Sequence, residues 1–287
     1  VSERRSAIAT LQGPAVRART FELEERIRYS YSRPVTDLCQ YLRIVPPTAH
    51  GPQRRRSWHL AVEGVESSTV RTFFDAFGNL TVAVSVPRVD DAVQFVLRAE
   101  AETEAGISGS PHRVVADRRF YEPTPLTAPD ATIAEMADCA GPATGAGFPD
   151  VAALCERVHR CISYKWGITG VQTTASEALA GGRGVCQDYA HIMLAACRLA
   201  GVPARYVSGH LTGEGGSHAW VEVLRPQTGR PGAWTAEGWD PTHNRRTDAN
   251  YLVIAIGRDY TDAAPMWGTF EGDDVSSTLA VEKRLSV

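Results

Sequence analysis

The sequence predicts an α+β protein in which an antiparallel all-β region precedes a block of helices and a second antiparallel sheet. Three observations carry this. Short runs with a two-residue apolar period, separated by turn residues, fill the region up to about residue 122. Helical apolar spacing takes over between residues 151 and 201, and the two-residue period returns after Pro203. The 287 residues are comfortable for two small domains. The expected division is a flexible lead over 1–19, an N-terminal β domain over 20–122, and a second domain over 123–287 that includes the C-terminal strands.

The elements follow in order. FELEERIRYSYS places Phe21, Leu23, Ile27, Tyr29 and Tyr31 on alternate positions, the period of a half-buried strand. YLRIV at 41–45, TVRTFF at 69–74, LTVAVSV at 80–86 and VQFVLRAEAE at 93–102 read as further strands. Pro34, Pro46-Pro47 and Gly78-Asn79 punctuate them, the last as a hairpin. The basic run Arg54-Arg55-Arg56 is expected in a solvated loop. Between 123 and 150 proline, glycine and alanine mark linkers around one short helix. In VAALCERVHRCISY at 151–164, Leu154, Val158 and Ile162 recur every four positions, as on a helix face. A short helix over Thr174–Ala180 ends at Gly181-Gly182. CQDYAHIMLAACRLAG is a stronger one, with Ala190, Met193, Leu194, Cys197 and Ala200 in one stripe and Gly201 closing it. ARYVSG, HAWVEVL, WTAEGWD and YLVIAIG then read as strands.

Composition excludes several classes. A net charge of −3 argues against a broad nucleic-acid footprint. No run approaches the ~18 apolar residues of a membrane span. The N-terminal residues are basic but lack an apolar h-region, so no secretory signal is expected. The six cysteines are irregularly spaced, which fits free thiols in a reducing compartment and a cytoplasmic protein. Cys155, His159 and Cys161 are close, but no second ligand pair has zinc spacing. No metal and no cofactor is expected, and no acidic calcium loop occurs.

The chemistry lies in three clusters. In GGRGVCQDYAHIML a glycine-rich turn leads into a helix with Cys186 at its first turn, where the positive helix end and unpaired N–H groups favour a thiolate. Cys197, mid-helix on the apolar stripe, reads as core. In GEGGSHAWVEVL, His218 opens a strand beside a glycine turn and is suited to take and return a proton. In GWDPTHN, Asp240 ends a strand before Pro241, and a carboxylate there can hold an imidazole in its working tautomer. Taken singly, each has a plainer reading as a buried thiol, a surface histidine or a turn aspartate. The order Cys, His, Asp at a helix start and on two following strands is much more specific.

GVCQDYAHIMLAACRLAGVPARYVSGHL, SHAWVEV and WDPTHN together resemble the catalytic core of the transglutaminase-like superfamily, a papain-like fold with a Cys–His–Asp triad. FELEERIRYSYSRPVTDLCQYLRIVPP resembles the N-terminal β domain of its bacterial cysteine-protease branch, and YLVIAIGRDYTDAAPMWGTFEG its closing block. The resemblance runs from about residue 20 to 285. It implies Cys186 as nucleophile, His218 as base and Asp240 as orienting residue. It also marks Tyr164–Gly167 as substrate-facing, with Trp166, Gln187 and Trp239 as substrate-binding candidates. His210 stands where the branch often has tyrosine. Trp166, Trp220 and Trp239 are candidates to line an acyl pocket, and at least two of the three are expected to pack in the core instead. Asp188 is expected to favour the helix dipole, His191 and Arg205 to be structural, and His243 to stand near the cleft.

The chemistry that follows is attack of a thiolate on a carbonyl and formation of a thioacyl-enzyme, with the Cys186 N–H at the oxyanion. A peptidase or amidase acting on peptide-like amides is the leading expectation. The alternative is a transglutaminase-type or thioester-dependent amide-forming acyltransferase; a non-catalytic peptide-binding module is a further one. The expected partners are a peptide, a protein or an acyl thioester, with neither nucleic acid nor membrane.

Overall fold

The computed structural model describes residues 19–104, 111–138, 150–227 and 229–287. The lead over 1–18 and the second half of the 123–150 linker therefore lie outside the described residues. The first part of the chain supplies β1 (Arg19–Tyr31), β2 (Val35–Leu42), β3 (Ala49–His50), β4 (Gln53–Glu63), β5 (Thr69–Phe74), β6 (Leu80–Val89) and β7 (Ala92–Thr103). The middle holds β8 (His112–Val114), α1 (Ala131–Asp138), α2 (Val151–Cys161), β9 (Ser163–Tyr164), α3 (Ala175–Gly181), β10 (Arg183–Gly184) and α4 (Cys186–Leu199). Then come β11 (Ala204–Leu211), β12 (His218–Pro226), β13 (Trp234–Asp240), β14 (Arg245–Arg246), β15 (Tyr251–Gly257), α5 (Tyr260–Ala263), β16 (Met266–Glu271) and β17 (Ser277–Ser286).

The N-terminal region is two antiparallel sheets, ordered β17-β1-β7-β4-β3 and β16-β2-β6-β5. Their inward residues, among them Phe21, Ile27, Leu38, Val84 and Phe95, share one buried core. Gly78, with φ +81°, turns β5 into β6 as the hairpin signal predicts. Two readings need correction. The arginines at 54–56 belong to β4, not to a loop; a bulge between Arg55 and Ser57 lets consecutive charged residues stay in a strand. The strand expected over 41–45 ends at Leu42, because Arg43 turns inward to pair with Asp75 at 3.1 Å.

The last two strands do not pair with the second sheet but return to the first region. β1 would otherwise be an open edge, and β17 covers it from Glu22 opposite Ser286 to Tyr31 opposite Ser277. Charges complement across that pair, with Glu24 facing Arg284, Glu25 facing Lys283 and Arg26 facing Glu282.

The core sheet runs β14-β13-β12-β11-β15, with β8 on β13. Helix α4 packs on β12 and β11 and is flanked by α1, α2 and α3. Gln187 to Arg198 are all buried, so the apolar stripe is only part of a helix enclosed on every side. Its polar members are therefore bonded: Arg198 donates to Thr127 Oγ1 at 2.6 Å and Ala204 O at 3.2 Å, and His191 Nε2 accepts from the Tyr260 N–H at 3.2 Å.

Two side-chain amides join the N-terminal region to edge strand β15. Gln53 gives and takes a hydrogen bond with Val253 (2.9 and 2.8 Å), and Asn79 does the same with Ile256 (2.7 and 2.8 Å). Each amide mimics a neighbouring strand and satisfies a backbone edge that would otherwise be buried unpaired.

Gly209 lies opposite His218 in the β11–β12 pair. A Cβ there would sit 2.1 Å from Leu252 O and 2.5 Å from the Trp220 ring. Gly209→Ala is therefore expected to destabilise the fold by about 1–3 kcal/mol in urea titration. Gly215→Ala, with no atom within 4 Å, should stay within about 0.5 kcal/mol.

Candidate active site

The position of Cys186 is fixed from both sides. β10 pairs with β9, and the Lys165 N–H donates to Gly184 O at 2.8 Å. On the helix side, Asp188 Oδ2 reaches back to accept the Val185 N–H at 2.7 Å and the Thr169 hydroxyl at 2.7 Å. Asp188 is thus more than a charge near a helix end: it ties down the residue before the cysteine. Gly184 is required beside it, since a Cβ would meet the Asp188 carboxylate at 2.6 Å. Cys186 itself is half-buried at the first position of α4, where helix N–H groups have no intrahelical acceptor.

The structure brings Cys186, His218 and Asp240 together. His218, at the start of β12, donates through Nε2 to Asp240 Oδ2 at 2.8 Å. The Cys186 thiol lies close enough to the same imidazole to influence its titration. Burial alone would lower the His218 pKa, but the bond to Asp240 and the nearby Cys186 outweigh it, and the imidazole is raised to about 10. Asp240 is buried at the end of β13 and collects donors. Oδ2 also lies 2.7 Å from the Tyr251 hydroxyl and 2.7 Å from His243 Nδ1, while Oδ1 accepts the N–H groups of Thr242 and His243 at 2.9 and 3.2 Å. Burial would raise this carboxyl; the bonds from His218, His243 and Tyr251 hold it well below the usual carboxylate range.

Two members of this cluster were not singled out by sequence reasoning. Tyr251, at the start of β15, orders Asp240 and packs edge-on against Trp220 with centroids 5.3 Å apart. Glu214, in the turn before His218, has its carboxylate 3.4 Å from His218 Nδ1 and 3.2 Å from His243 Nε2. Glu214 and Asp240 therefore face the same two imidazoles from opposite sides. His218, Asp240 and His243 also offer ligand atoms within 4.8 Å of one another, a geometry that would admit a divalent ion if the hydrogen bonds to Asp240 were given up.

The other candidates are dispersed. Trp166 is 83% exposed on the loop after β9. Gln187 turns its amide to Gly170 O and Val171 O, 3.4 Å from each. Trp239 alternates away from Asp240 along β13 and donates to Glu237 at 3.1 Å under the Arg246 guanidinium. Trp220 is buried behind His218. Tyr164, 57% exposed, lies near both Cys186 and Glu214 and forms part of the rim. His210 is buried and its pKa is lowered to about 3 by burial, with Lys283 Nζ 3.3 Å from Nδ1.

Comparison with known proteins agrees with this architecture. Residues 21–102 match the bacterial transglutaminase-like N-terminal region, and residues 137–239 match the transglutaminase-like superfamily core. The uncharacterized protein ML0607 of Mycobacterium leprae is 41% identical over 134 residues, 42% of this chain and 44% of that protein. The uncharacterized protein Rv2569c of Mycobacterium tuberculosis is 34% identical over 139 residues, 45% of this chain and 44% of that protein. In each case the match takes in less than half of the relative's length. A solved structure from Cytophaga hutchinsonii, designated a candidate cysteine protease, shares the fold with a TM-score of 0.63 at 22% identity, over 94% of this chain and 91% of that one. The matched regions and the shared fold together make this chain a member of the transglutaminase-like superfamily, with the N-terminal region of its bacterial branch.

Proposed function

We propose that this protein is a cysteine-dependent acyl-transfer enzyme that attacks peptide-like amide carbonyls, with hydrolysis as its main outcome. One observation carries the reading: a half-buried thiol at a helix N-terminus stands beside an imidazole that is hydrogen-bonded to a buried carboxylate. In this reading Cys186 is the nucleophile, His218 the proton carrier and Asp240 the residue that orients it. Because the imidazole is raised to about 10, it stays protonated at neutral pH. The thiolate attacks the carbonyl carbon, and the oxyanion meets the N-terminal N–H groups of α4. The tetrahedral species collapses as the imidazolium gives its proton to the leaving amine. Neutral His218 then takes a proton from water, which attacks the thioacyl carbon and frees the acid and the thiolate. Exposed Trp166 and Tyr164 are the proposed substrate contacts on the rim.

A second outcome is amide formation, in which an amine replaces water at the thioacyl-enzyme. The half-exposed carboxylate of Glu214 beside the His218 imidazole favours an ammonium-bearing acceptor.

Labelling with iodoacetamide at pH 7 is expected to modify Cys186 at least tenfold faster than Cys155 or Cys197, whose thiols burial pushes up to about 12. Cys186→Ala should abolish turnover of amide and thioester substrates and keep the melting temperature. Equal labelling of the three thiols would overturn the assignment. Hydroxylamine added to glutaminyl peptides separates the two outcomes, since only an amine-accessible intermediate yields hydroxamate.

The pH dependence has a defined sign. His218 is raised by folding from an ordinary 6.5 to about 10, so its bonds stabilise the fold fully below 6.5 and are lost as pH climbs toward 10. Asp240 is lowered, so its contribution is complete above the ordinary carboxylate range and is lost as the solution becomes strongly acidic. The alkaline limb of kcat/KM is therefore expected near pH 10. In Asp240→Asn it should move toward neutrality, with kcat lower by about 10³–10⁴-fold. An unmoved limb would separate Asp240 from the proton carrier.

A further inference from the structure

We propose that His50, His112 and Glu222 form a binding site for a divalent transition-metal ion of the zinc class, which ties the N-terminal β region to the core sheet. The three residues come from segments far apart in sequence: the end of β3, the start of β8 and the middle of β12. Their ligand atoms all lie within 4.8 Å of one another. His50 Nε2 stands 2.8 Å from Glu222 Oε1, and His112 Nε2 stands 4.0 Å from the same oxygen. A tetrahedral zinc ion with its usual bond lengths holds ligand atoms about 3.4 Å apart. The observed separations bracket that value, so small rotations of the two rings suffice to seat an ion.

The surroundings suit the same ion. Both rings and the carboxylate are largely withdrawn from solvent, with side-chain exposures of 11%, 13% and 5%. Two imidazoles and one carboxylate are a common borderline-soft ligand set that leaves a fourth position open. Here His50 and His112 also line a cavity of about 500 Å³, from which an ion and a water ligand can enter. Arg205 fixes the carboxylate from behind, with Nε 2.7 Å and Nη2 2.6 Å from Oε2, and so leaves Oε1 for the metal. Arg205 Nη2 also stands 3.4 Å from His112 Nε2 and must give up that contact when the ion binds. Its charge weakens the site, and binding in the micromolar range is expected rather than the far tighter binding of a structural zinc finger. Gly51, with φ +52°, is the close neighbour: a Cβ there would meet the His112 ring at 2.7 Å, so the backbone is shaped around this imidazole.

The site also has a place in the sheet. His218, Trp220 and Glu222 occupy alternate positions of β12 and share one face. A bound ion would hold this strand to β3 from the N-terminal region, two pleats away from the imidazole of the candidate active site.

The test is calorimetric titration of the chelator-treated full chain with Zn²⁺, together with visible absorption on adding Co²⁺. One ion per chain is expected, with a tetrahedral cobalt spectrum and a rise in melting temperature. His50→Gln and His112→Ala should each weaken binding at least tenfold and abolish the rise, while Cys186→Ala leaves both unchanged. His50→Gln retains an amide donor for Glu222, so its melting temperature without metal is expected to stay near that of the native chain and to separate ligation from folding. The proposal is overturned if the native chain takes up no ion. It is equally overturned if Cys186→Ala or His243→Ala removes binding that His50→Gln retains, which would move the ion to the candidate active site.

Discussion

The buried carboxylate of Asp240 is the interaction on which the candidate active site depends. It has three side-chain donors on one oxygen and two backbone donors on the other. A charge withdrawn from water this completely is tolerable only when such partners surround it. Those partners come from β12, from the turn after β13 and from β15, so the carboxylate sets the relative height of three strands as well as the orientation of one imidazole. Removing the thiol would leave that framework intact. Removing the carboxylate would leave two imidazoles and a phenol without their common acceptor.

The fold places a second layer of constraint behind the first. Trp220 fills the space under His218, and Gly209 exists to let that indole approach β11. On the opposite strand edge, Gln53 and Asn79 act as substitute strands for β15, which carries Tyr251. The N-terminal β region is therefore coupled to the Asp240 cluster through hydrogen bonds to the backbone of one strand. Shape and polarity at that junction bear on the cluster through β15.

Much of this was legible in the sequence, and what escaped had physical reasons. Period-two alternation located β1, β6 and β7, and the glycine turn before a helical stripe located α4 and Cys186. His218 and Asp240 were readable because a strand start beside glycine and a strand end before proline are local features. Tyr251 and Glu214 were not, since their roles consist of distances to Asp240 and His218 that only a folded sheet creates. The arginines of β4 resembled a loop because charge outweighs pattern in three residues, and a bulge is invisible to periodicity. His50, His112 and Glu222 are spread over more than half of the chain, so no spacing rule could gather them. The last two strands were grouped with the second domain for want of a local sign; the complementary charges of β17 and β1 are informative only once they are set side by side.

The return of β17 to β1 has a kinetic consequence. The two strands are among the most distant in sequence, and loop closure over such a span makes their pairing a late step. A nascent chain emerging from the ribosome would display β1 with one flank bare until residues 277–286 have been polymerised. Lys283 of that same strand bonds to the carbonyl of Gly216, two residues before His218. The loop that carries the imidazole thus receives this anchor only after residues 277–286 have been synthesised. Timing of this kind would leave the loop before His218 less constrained until that strand has formed.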